Sequence, residues 1–124
     1  MKKLEIQSLH RELEKLEGIS DNIGTALVNR NGLLVSSRLP RDIDERKFCA
    51  MAATMFGAIE TAASTIGSKI VKNLTVEFND FQLIIMEVNQ NMILVSLLNS
   101  NTNLGLFFIE IEEVIENIKR IFTK

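Results

Sequence analysis

Apolar residues recur at helical spacing near the start of the chain, where Ile6, Leu9, Leu13 and Leu16 alternate with charged positions and Gly18 stands ready to stop the run. The period then shortens towards two. Ile23 to Asn29 (IGTALVN) and Leu33 to Leu39 read as strands joined through Arg30-Asn31-Gly32, whose Asn-Gly pair favours positive φ. Pro40 ends the second strand because it cannot extend a ladder. Asp42 precedes Glu45 by three residues, the spacing of a capping box, so a helix is expected to begin there and to close at Gly67. Three further strands are predicted at Ile70 to Phe78, Phe81 to Val88 and Met92 to Leu98, with turns at Asn79-Asp80 and Asn89-Gln90-Asn91. The last two are apolar on both faces, as strands in the middle of a covered sheet are. Thr102 to Phe122 reads as an amphipathic helix behind an Asn/Ser/Thr-rich cap, and Lys119, Arg120 and Lys124 complement its C-terminal dipole.

The middle helix organises this pattern. From Phe48 to Ala63 only Thr54, Glu60 and Thr61 interrupt an apolar or small-sided run, and a helix of that kind is normally buried on more than one side. Helical spacing gathers Phe48, Ala52, Met55, Ile59, Ala62 and Ile66 into a bulky stripe that would lie on the sheet. The opposite stripe holds Ala50, Ala53, Gly57 and Ser64, flanked by Thr54, Glu60 and Thr61. Small residues at that spacing let another helix or a partner protein approach closely. Two plainer readings stand beside this one. A core helix in a monomer would also favour Ala, and Phe48 to Ser68 is long enough to span a bilayer, although Glu60 and the Gly, Ser and Thr content argue against that.

The order helix, two strands, helix, three strands, helix predicts an α+β domain over residues 1–124, with a five-stranded antiparallel sheet between layers of helix. If the first and last helices cover one face, the middle helix must cover the other alone, and it is too narrow for five strands. A second copy supplying its own middle helix would complete the cover, which is the physical case for a homodimer.

Composition narrows the chemistry. Charged residues make up 24% of the 124 residues and the net charge is -2, so no concentrated basic surface suggests nucleic-acid binding. Arg38, Arg41, Arg46 and Lys47 cluster near the helix start, but Asp42, Asp44 and Glu45 are interleaved with them and no phosphate-cradling Gly-rich loop precedes. Cys49 is the one cysteine. It fits a reducing, cytoplasmic setting and a small buried hydrophobe better than a redox centre. The one histidine, His10, falls on the polar side of the first helix with no second histidine to share a metal. Glu110, Glu112, Glu113 and Glu116 read as a solvated helix face rather than as a general acid pair. No nucleophile elbow or Walker-type loop is present. The expectation is a non-enzyme with no metal or cofactor and no membrane insertion.

Three segments in order carry a likeness to a known family. They are Gly24-Thr25-Ala26-Leu27-Val28-Asn29-Arg30-Asn31-Gly32-Leu33-Leu34-Val35-Ser36, the Ala-rich helix from Ala50-Met51-Ala52-Ala53 through Ala62-Ala63, and Asn103-Leu104-Gly105-Leu106 opening the last helix. In these the chain resembles the roadblock family, the dynein-light-chain-like domains that bacteria and archaea use with Ras-like GTPases. The resemblance implies a three-layer, profilin-like fold with sheet order 2-1-5-4-3. It further implies a dimer made by edge pairing of the third strand across a two-fold axis, middle helices side by side. It implies a non-catalytic homodimeric platform that binds and regulates a Ras-like small GTPase. The alternative is a structural scaffold or light-chain-like subunit of a larger assembly. On this reading Ala50, Ala53, Gly57, Thr61 and Ser64 would make the helix contact, and Val71, Asn73, Thr75 and Glu77 the paired edge.

Overall fold

The opening amphipathic run folds as α1 (Lys3–Glu17), with Leu9, Leu13 and Leu16 on its buried side and His10 half-buried beside them. The computed structural model describes residues 3–17, 22–68 and 70–123. After α1 come β1 (Asn22–Asn29), β2 (Leu34–Arg38), α2 (Glu45–Thr65), β3 (Asn73–Glu77), β4 (Phe81–Glu87), β5 (Met92–Asn99) and α3 (Leu104–Phe122). Gly18, the expected helix stop, and Lys124, of the basic last turn, lie outside the described residues.

The strands form a five-stranded sheet in the order β2-β1-β5-β4-β3, and every neighbouring pair is antiparallel. Gly32 takes φ +88° at the β1–β2 turn, the left-handed conformation expected of the Asn-Gly pair. Strand alternation sorts the side chains between two cores. Leu27, Ile84, Leu94 and Leu98 pack beneath α1 and α3, against Leu13, Phe107, Ile111 and Ile118. Ala26, Val28, Leu83, Ile85, Ile93 and Val95 face α2 and meet Cys49, Ala52 and Phe56. β4 and β5, apolar on both sides, therefore lie inside the sheet with helix layers above and below.

Two boundaries and one helix face differ from the sequence expectation. α2 is capped by Asp44, not Asp42, and the Asp44 carboxylate accepts from the Lys47 amide at 3.2 Å. A turn in which the Ile43 amide donates to the Pro40 carbonyl takes up the residues before it. The side of α2 seated on the sheet is also rotated from the expected stripe: Cys49, Ala52 and Phe56 are buried, whereas Ile59 is 38% and Ile66 83% exposed. Finally, β3 begins at Asn73 rather than Ile70. The other caps match their residues. Asn103 accepts from the Leu106 amide at the start of α3, and Gly67 (φ +82°) ends α2 while the Ser68 amide reaches back to the Ala63 carbonyl.

Candidate interaction surface

α2 lies over β1, β2 and β5 in its main contacts and reaches Leu83 and Ile85 in the middle of β4, so β3 and the Phe81 end of β4 extend beyond its footprint. On the α2 side of that uncovered part Leu74 and Val76 are only half-buried, and Phe81 is 38% and Phe78 49% exposed. Phe81 shares its face with Leu83 by strand alternation. Ile59 and Ile66 add apolar surface from the end of the helix. The shortfall argued from sequence, one helix against five strands, is thus present as open apolar surface next to a free sheet edge.

From Ala50 to Thr65 the outward side of α2 carries no charge and, apart from Met51 at 52% exposure, only small side chains. Gly57 is exposed, and a Cβ placed there would meet nothing within 4 Å. Thr61 and Ser64 are exposed on the same side, and their hydroxyls turn back to the helix: Thr61 donates to the Gly57 carbonyl at 3.1 Å and Ser64 to the Thr61 carbonyl at 2.6 Å. Thr54 and Thr65 do likewise, to Ala50 and Ala62 at 2.9 and 2.7 Å. With its hydroxyl hydrogens committed internally the face presents chiefly methyl groups and small side chains, so removing it from water leaves few donors unpaired. Thr54 and Thr65 belong to this surface with the residues picked from sequence. Their signal was a hydroxyl placed to reach the carbonyl three or four residues back.

The remaining candidates divide. Ala50 is exposed, but a Cβ built on Gly32 would stand 3.1 Å from its Cα, so its smallness also lets the β1–β2 turn approach the helix. Ala53 is half-buried and packs on the α2-side core rather than standing in the outward row. Val71 precedes β3 and packs on that same core, so it does not share an outer face with Asn73, Thr75 and Glu77. Those three are exposed, and register sets them on the far side of the sheet. Thr75 stands opposite Ile84, which packs under α1 and α3, whereas Val76 stands opposite Leu83 of the α2-side core. The helix row and these edge side chains therefore occupy opposite faces. What β3 offers beside α2 is its backbone edge together with Leu74 and Val76.

Charge and chemistry elsewhere are structural in arrangement. Arg38 pairs with Glu17 at 2.8 Å and Glu14 at 3.5 Å, tying β2 to α1, so its partners come from α1 rather than from the neighbouring acidic residues. Burial, followed by the nearby Glu45 carboxylate, pushes the Cys49 thiol up to about 11, which keeps it protonated at neutral pH. Among the described residues no three His, Cys, Asp or Glu side chains are grouped as a metal site requires, and no helix is long and apolar enough to cross a membrane. An open groove of about 750 Å³ runs between residues 70–72, the end of β4 and α3, its floor formed by Val88 and Ile115 and its rim by Lys72, Glu116 and Lys119.

Comparison with known proteins assigns the fold to a family. The chain is 34% identical over 111 residues to MJ1340, an uncharacterised protein of Methanocaldococcus jannaschii, covering 90% of this chain and 94% of that one. Among solved structures, Myxococcus xanthus MglB superposes with a TM-score of 0.92 at 24% identity, over 99% of this chain and 93% of that chain. A structure described as MglB with tetrameric arrangement gives 0.88 at 16% identity, over 98% and 92%. The Roadblock/LC7 domain family model matches residues 5–97. With that match, the sheet order and the single helix layer on one face, this chain belongs to the Roadblock/LC7 domain family.

Proposed function

We propose that the protein is a homodimeric, non-catalytic platform that binds and regulates a Ras-like small GTPase, holding its switch regions rather than donating a catalytic group. The observation that carries this reading is the outward face of α2 from Ala50 to Thr65, uncharged, small-sided except for Met51 and internally hydrogen-bonded, beside the open edge of β3. A face of that kind suits close protein approach and offers no group for bond making. Two copies meeting along β3 and α2 would extend the sheet, cover Ile59 and Ile66, and present one continuous surface to a third protein. Family membership supports the GTPase as that third protein, and the tetrameric arrangement described for one MglB structure supports self-association in this fold.

The test is direct. Purified protein mixed with the Ras-like GTPases of its own host, each loaded with GDP or GTP, should co-elute with one of them and change its rate of hydrolysis or exchange. No complex and no rate change with any of them would contradict the GTPase assignment.

A further inference from the structure

The last third of α2 carries Thr61 and Ser64 of the small-residue row but has no buried side chain beyond Phe56. Its polar tether to the sheet is Arg30, at the end of β1. The Arg30 guanidinium pairs with Glu60 of α2, lies 3.3 Å from Glu87 of β4, donates to the Asn89 carbonyl at 3.4 Å and sits 5.5 Å from the centroid of the Phe56 ring. One planar fork thus fixes the helix to two places on the sheet while stacking on the helix's largest seated side chain. A lysine ammonium has no such fork.

We propose that Arg30 is a positioning residue for self-association, holding the C-terminal half of α2 at the attitude in which its small-residue row meets a second copy. This rests on the self-association proposed above. The mechanism is preorganisation: a helix end that must be ordered during docking subtracts that cost from affinity, and the clamp removes it beforehand. Glu87 lies on β4 rather than on the helix, so an influence that it exerts through Arg30 vanishes once Arg30 is replaced, whereas a direct contact with the second copy would add to the loss.

The test is the dimer Kd of the full chain by sedimentation equilibrium for wild type, Arg30→Met, Arg30→Lys, Glu87→Gln and the Arg30→Met/Glu87→Gln pair. Arg30→Met should weaken association about tenfold with circular dichroism unchanged, the sum of two part-exposed ion pairs and a cation–π contact. Glu87→Gln should weaken it less, the double variant no more than Arg30→Met alone, and Arg30→Lys should recover only part. A folded Arg30→Met with unaltered Kd, or effects of Arg30→Met and Glu87→Gln that simply add, would overturn the proposal. If Arg30→Met does not fold, Glu87→Gln decides by the same measure. A wild type that stays monomeric would refute self-association instead. In that event amide exchange of Thr61 to Thr65 still tests the clamp, which predicts faster exchange in Glu87→Gln and is overturned by no change.

Discussion

Gly57 separates two costs that are usually entangled. In the interior of α2 a glycine is expensive, roughly 0.5–1 kcal/mol relative to alanine, and nothing in the fold requires it, since a Cβ there meets open space. Gly57→Ala should therefore raise the stability of the separated chain by about that amount in urea unfolding. Gly57→Leu should also leave the separated chain no less stable, yet cost about 1–3 kcal/mol of association by overfilling a close contact. A Gly57→Leu protein that unfolds more easily but associates as before would reverse the assignment of this face. Ala50 is a contrasting case on the same helix. Its smallness has an internal reason, the approach of Gly32, so a contact role for it cannot be read from its size.

At the scale of the element, α2 is seated by a narrow set of side chains, Cys49, Ala52 and Phe56. Phe56 is the largest of them and the ring on which Arg30 stacks. Phe56→Ala should cost about 3–5 kcal/mol, measured by chemical denaturation, through lost burial and the cavity left behind. A loss below about 1 kcal/mol would mean that α2 is held mainly by something else. The seat is rotated from the bulky stripe because Cys49 and Phe56, which lie beside that stripe, fill the contact with the sheet, and past Phe56 the stripe loses its cover. Ile59 and Ile66 are as apolar as buried residues, and periodicity alone does not say where a helix outruns its sheet. Cover is a tertiary property. The same limit explains Val71, whose alternation with Asn73 suggested strand before the ladder begins, and Asp42, displaced as cap by the turn at Pro40. By contrast Gly32, Gly67 and Asn103 were legible because each supplies a local conformation or a local bond.

At the scale of the molecule, strand count and helix order were readable because period two and period 3.6 alternate cleanly along the chain, and the sheet order came through the family resemblance. The clamp of Arg30 with Glu60 and Glu87 was not readable. Its members are far apart in sequence, and each alone looks like a solvated charge. The register was decisive for the candidate surface, since it sends Asn73, Thr75 and Glu77 to the face away from α2 and leaves the β3 backbone, Leu74 and Val76 as the part next to the helix. Docking by backbone edge and helix row is therefore expected to leave those three polar side chains tolerant of substitution. Sedimentation equilibrium decides whether two copies pair through this face. Twice the 14.0 kDa chain mass at micromolar concentration, falling towards one chain mass in Gly57→Leu, is the predicted result. A single chain mass at every concentration, with the α2 face open to solvent, would contradict it.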